Sequence, residues 1–286
     1  MSTQFSDALF VIDESKREKQ RAAFLRAERI VWSLDSNELL SVVRDLEDYP
    51  LIPYLIAKKL KDRISLDDED SVRAFLNQYD GAPFAKRLRR DWLEYLARRN
   101  KRELFIEFYQ HSSSAEMQCH FLRYQYEAGA SKEQIFSQLP DLWNVGKSQD
   151  KACDPIFGVW MKAGMLTEDL ILHRIEKAAD GGQHTIIPYL RTLLPNDKKY
   201  IADLWQEVRK DPANVKHLTR YTGKLPAIEA QIISYGLSRL IWRDEDLALK
   251  TYERADKRIA FSDSQRVRIV HRFAVALAIE KHPDAE

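Results

Sequence analysis

The side chains able to do chemistry are numerous here but are not arranged in known catalytic patterns. The seven histidines, His111, His120, His173, His184, His217, His271 and His282, never form the HExxH spacing that sets two zinc ligands on one helical face. His173 with Glu176 is an i, i+3 pair, and a di-metal bundle needs two such motifs facing each other, so it reads as a surface pair. No metal ligand set and no cofactor is therefore assigned. Neither GxxxxGK[ST] nor GxGxxG occurs, which leaves a phosphate-cradling loop unsupported, and there is no GxSxG nucleophile elbow. Cys119 precedes His120 directly, but neighbours on a helix project about 100° apart and do not face each other. Among 44 acids no carboxylate pair stands out, and no catalytic residue is nominated.

One charge cluster does stand out. Lys86, Arg87, Arg89, Arg90, Arg98, Arg99, Lys101 and Arg102 are opposed only by Asp91 and Glu94, the most basic stretch of the chain. A solvated helix face explains it, because Leu88, Trp92, Leu93 and Leu96 supply the buried stripe. The sharper reading makes Arg87, Arg89, Arg90, Arg98 and Arg99 a contact for an anionic polymer, with binding that weakens as salt screens the charges.

The elements that must position these groups are helices. The 286 residues carry 45 basic and 44 acidic side chains for a net charge of +1, with 44% apolar residues, which excludes a disordered chain and argues against a nucleic-acid partner. The 9 Gly and 10 Pro fall well under the roughly 12% average for the pair, too few for many strand turns. No apolar run approaches the roughly 20 residues of a membrane span, and Met1 to Gln4 lack the features of a signal peptide.

Helical spacing recurs almost throughout, with stretches expected over 13–32, 36–46 (capped by Ser36), 84–99, 131–145, 153–163, 167–179, 183–194, 197–210, 213–222, 225–243, 245–258 and 263–282, among others. Gly164 and the pair Gly181, Gly182 read as helix stops. About sixteen short helices with brief connections predict an all-α solenoid, a curved right-handed superhelix of stacked antiparallel helical hairpins without a sheet, in a single domain over 1–286. The six Trp residues could stack on sugars but read mainly as inter-helix core. Cys119 and Cys153, the two cysteines, fit a reduced protein as well as a bridged one.

Several segments resemble the soluble lytic murein transglycosylases of the Gram-negative periplasm. Residues 46–55, LEDYPLIPYL, are similar to that family's DYPLxPYL element, and the similarity continues through Trp92, Leu93, Leu96 to Arg99, and Ala115 to Cys119. It is most specific at Leu142 and Trp143, Gly146 to Gln149, Ala152 to Asp154, and Phe157 to Trp160, and it spans about residues 40–165. The resemblance implies a U-shaped helical superhelix, a periplasmic location, peptidoglycan as partner and a Cys119–Cys153 disulfide. It also implies that a separate lysozyme-like domain cleaves the link between N-acetylmuramic acid and N-acetylglucosamine, forming a 1,6-anhydro product. That domain's Gly-Leu-Met-Gln and Ala-Tyr-Asn-Ala-Gly elements are not in this sequence, and the sole Glu-Ser pair, Glu14 and Ser15, lies in a charged amphipathic segment. The expectation is a non-catalytic superhelical module that positions the catalytic domain or the murein strand. The rival is a cytosolic helical-repeat scaffold for a protein partner, with both thiols reduced.

Overall fold

The computed structural model describes residues 14–281 apart from 47 and 63, so Met1 to Gln4, Asp13, Glu47 of the DYPL segment and His282 lie outside the described residues. Every regular element among the described residues is helical: sixteen α-helices and five 3-10 turns, with no strand. The expected sheet-free class of packed helical hairpins is the one observed. None of the described helices is long and apolar enough to cross a membrane.

Two compact units divide the chain, one ending at Tyr124 and the other starting at Gln125. In the first, α1 (Glu14–Ile30), α2 (Ser36–Asp45), α3 (Ile52–Asp62), α4 (Glu69–Gln78), α5 (Pro83–Arg98) and α6 (Arg102–Phe108) precede α7 (Ala115–Glu127), which runs through the division. Asp35, rather than Ser36, caps α2. Its carboxylate accepts the Asn37 and Glu38 N–H groups at 2.8 and 2.9 Å, while Glu38 accepts the Asp35 N–H at 2.8 Å, a reciprocal box that satisfies otherwise orphaned donors. α3 packs on α4 and α5, and α5 on α6, around Leu88, Trp92 and Leu96, all 0% exposed. The expected apolar stripe of α5 is therefore the centre of this unit. Tyr109 stacks on Phe121, midway along α7, with ring centroids 3.9 Å apart.

The second unit holds α8 (Lys132–Phe136), α9 (Leu139–Trp143), α10 (Asp154–Lys162), α11 (Glu168–Ala179), α12 (Ile187–Leu193), α13 (Lys199–Lys210), α14 (Pro226–Leu240), α15 (Glu245–Asp256) and α16 (Asp263–Glu280). α11 touches both α12 and α13, and α14 touches both α15 and α16. Packing against the next helix and the next but one is the neighbour pattern of stacked hairpins. Of the six Trp residues, Trp92, Trp143, Trp160 and Trp205 are core, whereas Trp32 and Trp242 are 55% and 45% exposed.

Two expected helices are corrected here. The one over 131–145 is interrupted between α8 and α9, where Pro140 occupies the first turn of α9. Proline has no N–H, and its ring excludes the carbonyl four residues back, so a continuous helix is disfavoured. The one over 213–222 is replaced by 3-10 turns at Pro212–Lys216 and Leu218–Arg220. Asp211 draws off the Ala213 N–H at 3.0 Å, and the Asn214 amide donates to the Glu207 and Asp211 carbonyls, so side chains compete with the helical ladder. Val215, fully buried, packs beneath Gly236 of α14 and holds the turn in place.

Gly182 does more than stop α11. A Cβ there would overlap the carbonyl oxygens of Lys177 and Gly146, so backbone lies where any side chain would begin. Gly182→Ala is expected to cost about 1 to 3 kcal/mol, since backbone must shift to admit the methyl. Gly158→Ala, inside α10 with nothing within 4 Å of the added carbon, should instead stabilise by up to ~1 kcal/mol. Thermal melts of the two variants check this, and a Gly182→Ala melt matching the parent protein would contradict the close approach.

Candidate ligand-binding site

The segments that carry the most specific resemblance meet around one cavity. α9 delivers Trp143 with its ring 1% exposed, and the connection that follows, residues 144–150, is tied down by side chains from elsewhere. Arg174, on the buried face of α11, donates from Nε to the Val145 carbonyl at 3.1 Å and from Nη2 to the Lys147 carbonyl at 3.0 Å. Its guanidinium lies 4.4 Å from the Trp143 ring centroid, a cation-π contact in a dry setting. Burial pulls the Arg174 pKa below its ordinary value, and the carbonyls and ring supply the stabilisation that water does not. Lys177 donates to the Asn144 carbonyl at 2.9 Å, the Gln183 N–H to the Gly146 carbonyl at 2.7 Å, and the Ser148 N–H to the Gln183 side chain at 3.1 Å. Gln149 donates back to the Leu142 carbonyl.

The connection thus braced borders a cavity of about 320 Å³, within the usual range for small-ligand sites. Trp143, Phe157, Met161 and Tyr189 provide apolar and aromatic walls, with Ser148, Gln149, Asp154 and Arg174 as the polar groups. Tyr189 is 54% exposed and stands at the rim. Asp154 is exposed in the first turn of α10, where the helix dipole favours negative charge. It is the one carboxylate on the lining described.

The arginines of the expected anionic contact do not all share one environment. Arg89 is half-buried: it donates to the Phe108 carbonyl at 3.0 Å and to Asp80 at 3.1 Å, and burial lowers its pKa despite the Asp80 charge. Arg90 is exposed but lies 3.1 Å from Asp91 and 3.7 Å from Glu94. Arg87, Arg98 and Arg99 are exposed, and Arg99 sits over the Tyr95 ring at 5.8 Å. At 100° per residue Arg87, Arg90 and Arg98 share one side of α5, while Arg89 points away from them. Cys119 in α7 and Cys153 just before α10 are both 0% exposed, and neither is a free thiol. His173 is exposed, with Nδ1 2.9 Å from the Asp169 carbonyl, and no group of three or more His, Cys, Asp or Glu among the described residues could hold a metal ion.

Arg174 and Tyr189 were not singled out from sequence. A signal for Arg174 existed: it interrupts the apolar stripe of Ile171, Leu172, Ile175 and Ala178, and a charge inside a buried stripe needs partners. Tyr189 carried no such mark.

No protein-family model matches the chain. It is 28% identical over 207 residues to the soluble lytic murein transglycosylase of Salmonella typhimurium and 27% identical over 207 residues to that of Escherichia coli, with 72% of this chain and 32% of each relative covered. A lytic transglycosylase structure from Pseudomonas aeruginosa aligns at a TM-score of 0.73 and 28% identity, covering 92% of this chain and 42% of that one. The chain is similar to soluble lytic murein transglycosylases over most of its own length. The 70-kDa soluble lytic transglycosylase of Escherichia coli shares the fold, with a TM-score of 0.76 at 23% identity over 91% of this chain and 42% of that one. The chain spans about a third of the length of the curated proteins it matches. The likeness to transglycosylase structures reaches well beyond residues 40–165, where the recognisable motifs lie.

Proposed function

We propose that this chain is a non-catalytic helical module of a periplasmic peptidoglycan lytic transglycosylase, forming a single functional domain that positions a murein strand for a lysozyme-like catalytic domain. The observation that carries this reading is the convergence of the most specific family-like segments, within 142–160, on one braced, ring-sized cavity. Aromatic faces beside an amide and a carboxylate suit a sugar ring with its amide substituents. Cleavage of the glycan, with formation of the 1,6-anhydro end, is left to the catalytic domain. Cys119 and Cys153 are proposed to form a disulfide, in keeping with two buried sulfurs of which neither is free and with an oxidising compartment.

On α5, Arg87, Arg98 and Arg99, with Arg90 beside them, are proposed to contact anionic groups of the polymer, while Arg89 serves to hold α6 in place through the Phe108 carbonyl. Sedimentation with insoluble murein sacculi tests the module directly. The protein is expected to co-sediment at low salt and to be released as salt approaches 1 M, where the screening length falls to about 3 Å. Recovery no greater than in tubes without sacculi would overturn the reading. Release of 1,6-anhydromuropeptides by the isolated chain would overturn its non-catalytic part, and unchanged binding by Arg87→Ala/Arg98→Ala/Arg99→Ala would remove the α5 contact.

A further inference from the structure

A second pocket, of about 600 Å³, gathers four guanidinium groups from three helices. Arg209 comes from the end of α13, Arg239 from α14, and Arg268 and Arg272 from successive turns of α16. Asp180 is the one carboxylate on the same lining, so the site carries an excess of three positive charges in a protein whose whole net charge is +1. No ion pair involves any of the four among the described residues, and the Arg209 Nε is buried without a hydrogen-bond partner. Like charges one turn apart on a helix repel, as Arg268 and Arg272 do. Hydrogen bonds to backbone account for Arg239, but among the described residues no hydrogen bond or ion pair accounts for gathering Arg268 and Arg272 beside it.

The site is also preorganised. Arg239 donates from Nη1 to the Val208 and Arg209 carbonyls at 3.2 and 2.9 Å and to the Tyr235 hydroxyl at 3.2 Å, and it lies 5.2 Å from the Tyr235 ring centroid. Tyr235 in turn donates to the Ala179 carbonyl at 3.1 Å and packs 5.3 Å from Trp205, so this wall is fixed before any ligand arrives. Arg268 and Arg272 are exposed on the facing side, and Trp242 presents a half-exposed ring at the edge. Arginine forks match the oxygen spacing of phosphates and carboxylates, and a planar ring beside them accepts an organic body.

We propose that this pocket binds a compact oxyanion of two or more negative charges, a phosphate group or clustered carboxylates, on a small organic body lying against Trp242. Arg239 and Tyr235 position the site, while Arg209, Arg268 and Arg272 neutralise the ligand. The inference stands apart from the murein reading, since sacculus binding and oxyanion binding are measured separately and either can fail alone.

Calorimetric titration of the full chain with inorganic pyrophosphate and, separately, with tricarballylate tests it, sodium chloride at equal ionic strength serving as blank. Saturable binding of at least one is expected, weakened by about tenfold or more in Arg268→Ala/Arg272→Ala, which removes two exposed side chains and leaves the Arg239 bonds intact. Binding of pyrophosphate alone assigns phosphate, of tricarballylate alone assigns carboxylates, and of both assigns a general multivalent oxyanion site. Absence of saturable heat for both anions overturns the proposal. So does undiminished binding in the double variant, or an equal loss in Lys250→Ala/Arg254→Ala on α15, which removes two exposed cations outside this lining.

Discussion

Reducing the proposed Cys119–Cys153 bridge is expected to lower the unfolding free energy by about 3 to 4 kcal/mol, the chain-entropy value for a closed loop of this length. The loop is long enough that its closure restricts many denatured conformations, and both sulfurs sit in the core. Urea melts of oxidised protein and of protein kept in a phosphine reductant measure the effect without the cavity that a cysteine substitution would leave. Thiol titration of unfolded, unreduced protein should find no reactive thiol, with two recovered after reduction. Two thiols before reduction, or coincident melts, would exclude the bridge and favour the reduced, cytosolic scaffold.

Arg174→Ala is expected to destabilise the second unit by about 3 to 4 kcal/mol. The substitution leaves the Val145 and Lys147 carbonyls without their shared donor and strips the packing from one face of Trp143. Arg174→Lys should recover little of this. An ammonium is a single point of charge and does not span two carbonyls held in a fork, nor does it lie flat on an indole. Thermal melts and the tryptophan emission of the two variants provide the check, with a red shift expected as water reaches Trp143. A lysine variant as stable as the parent protein would show that charge alone, and not the fork, braces the connection.

Sacculus binding should fall in Arg174→Ala even where the protein remains folded, because the cavity wall is formed by the connection that Arg174 ties down. The residues on α5 behave differently. Removing Arg87 or Arg98 touches no buried group, so those substitutions test binding without the stability cost.

The helical character of this chain, the apolar stripe of α5 and most helix boundaries were legible in the sequence. Few glycines and prolines, a steady helical period and local caps are properties of each segment alone, and a stripe such as Leu88, Trp92, Leu93 and Leu96 reports a buried face without naming what covers it. The motifs at 142–160 also marked the neighbourhood of the first cavity. What the sequence did not disclose was the function of charges that meet from distant helices. Arg89 and Arg98 look alike in a basic run, yet one is committed to Asp80 and a backbone carbonyl and the other faces water. Arg209, Arg239, Arg268 and Arg272 are scattered over three helices and share a pocket only because α13 packs on α14 and α14 on α16. Local periodicity is written into each helix by the need to bury one side of it; which side chains then stand opposite one another is decided by helix-to-helix packing, and that leaves no mark on any single stretch of the chain.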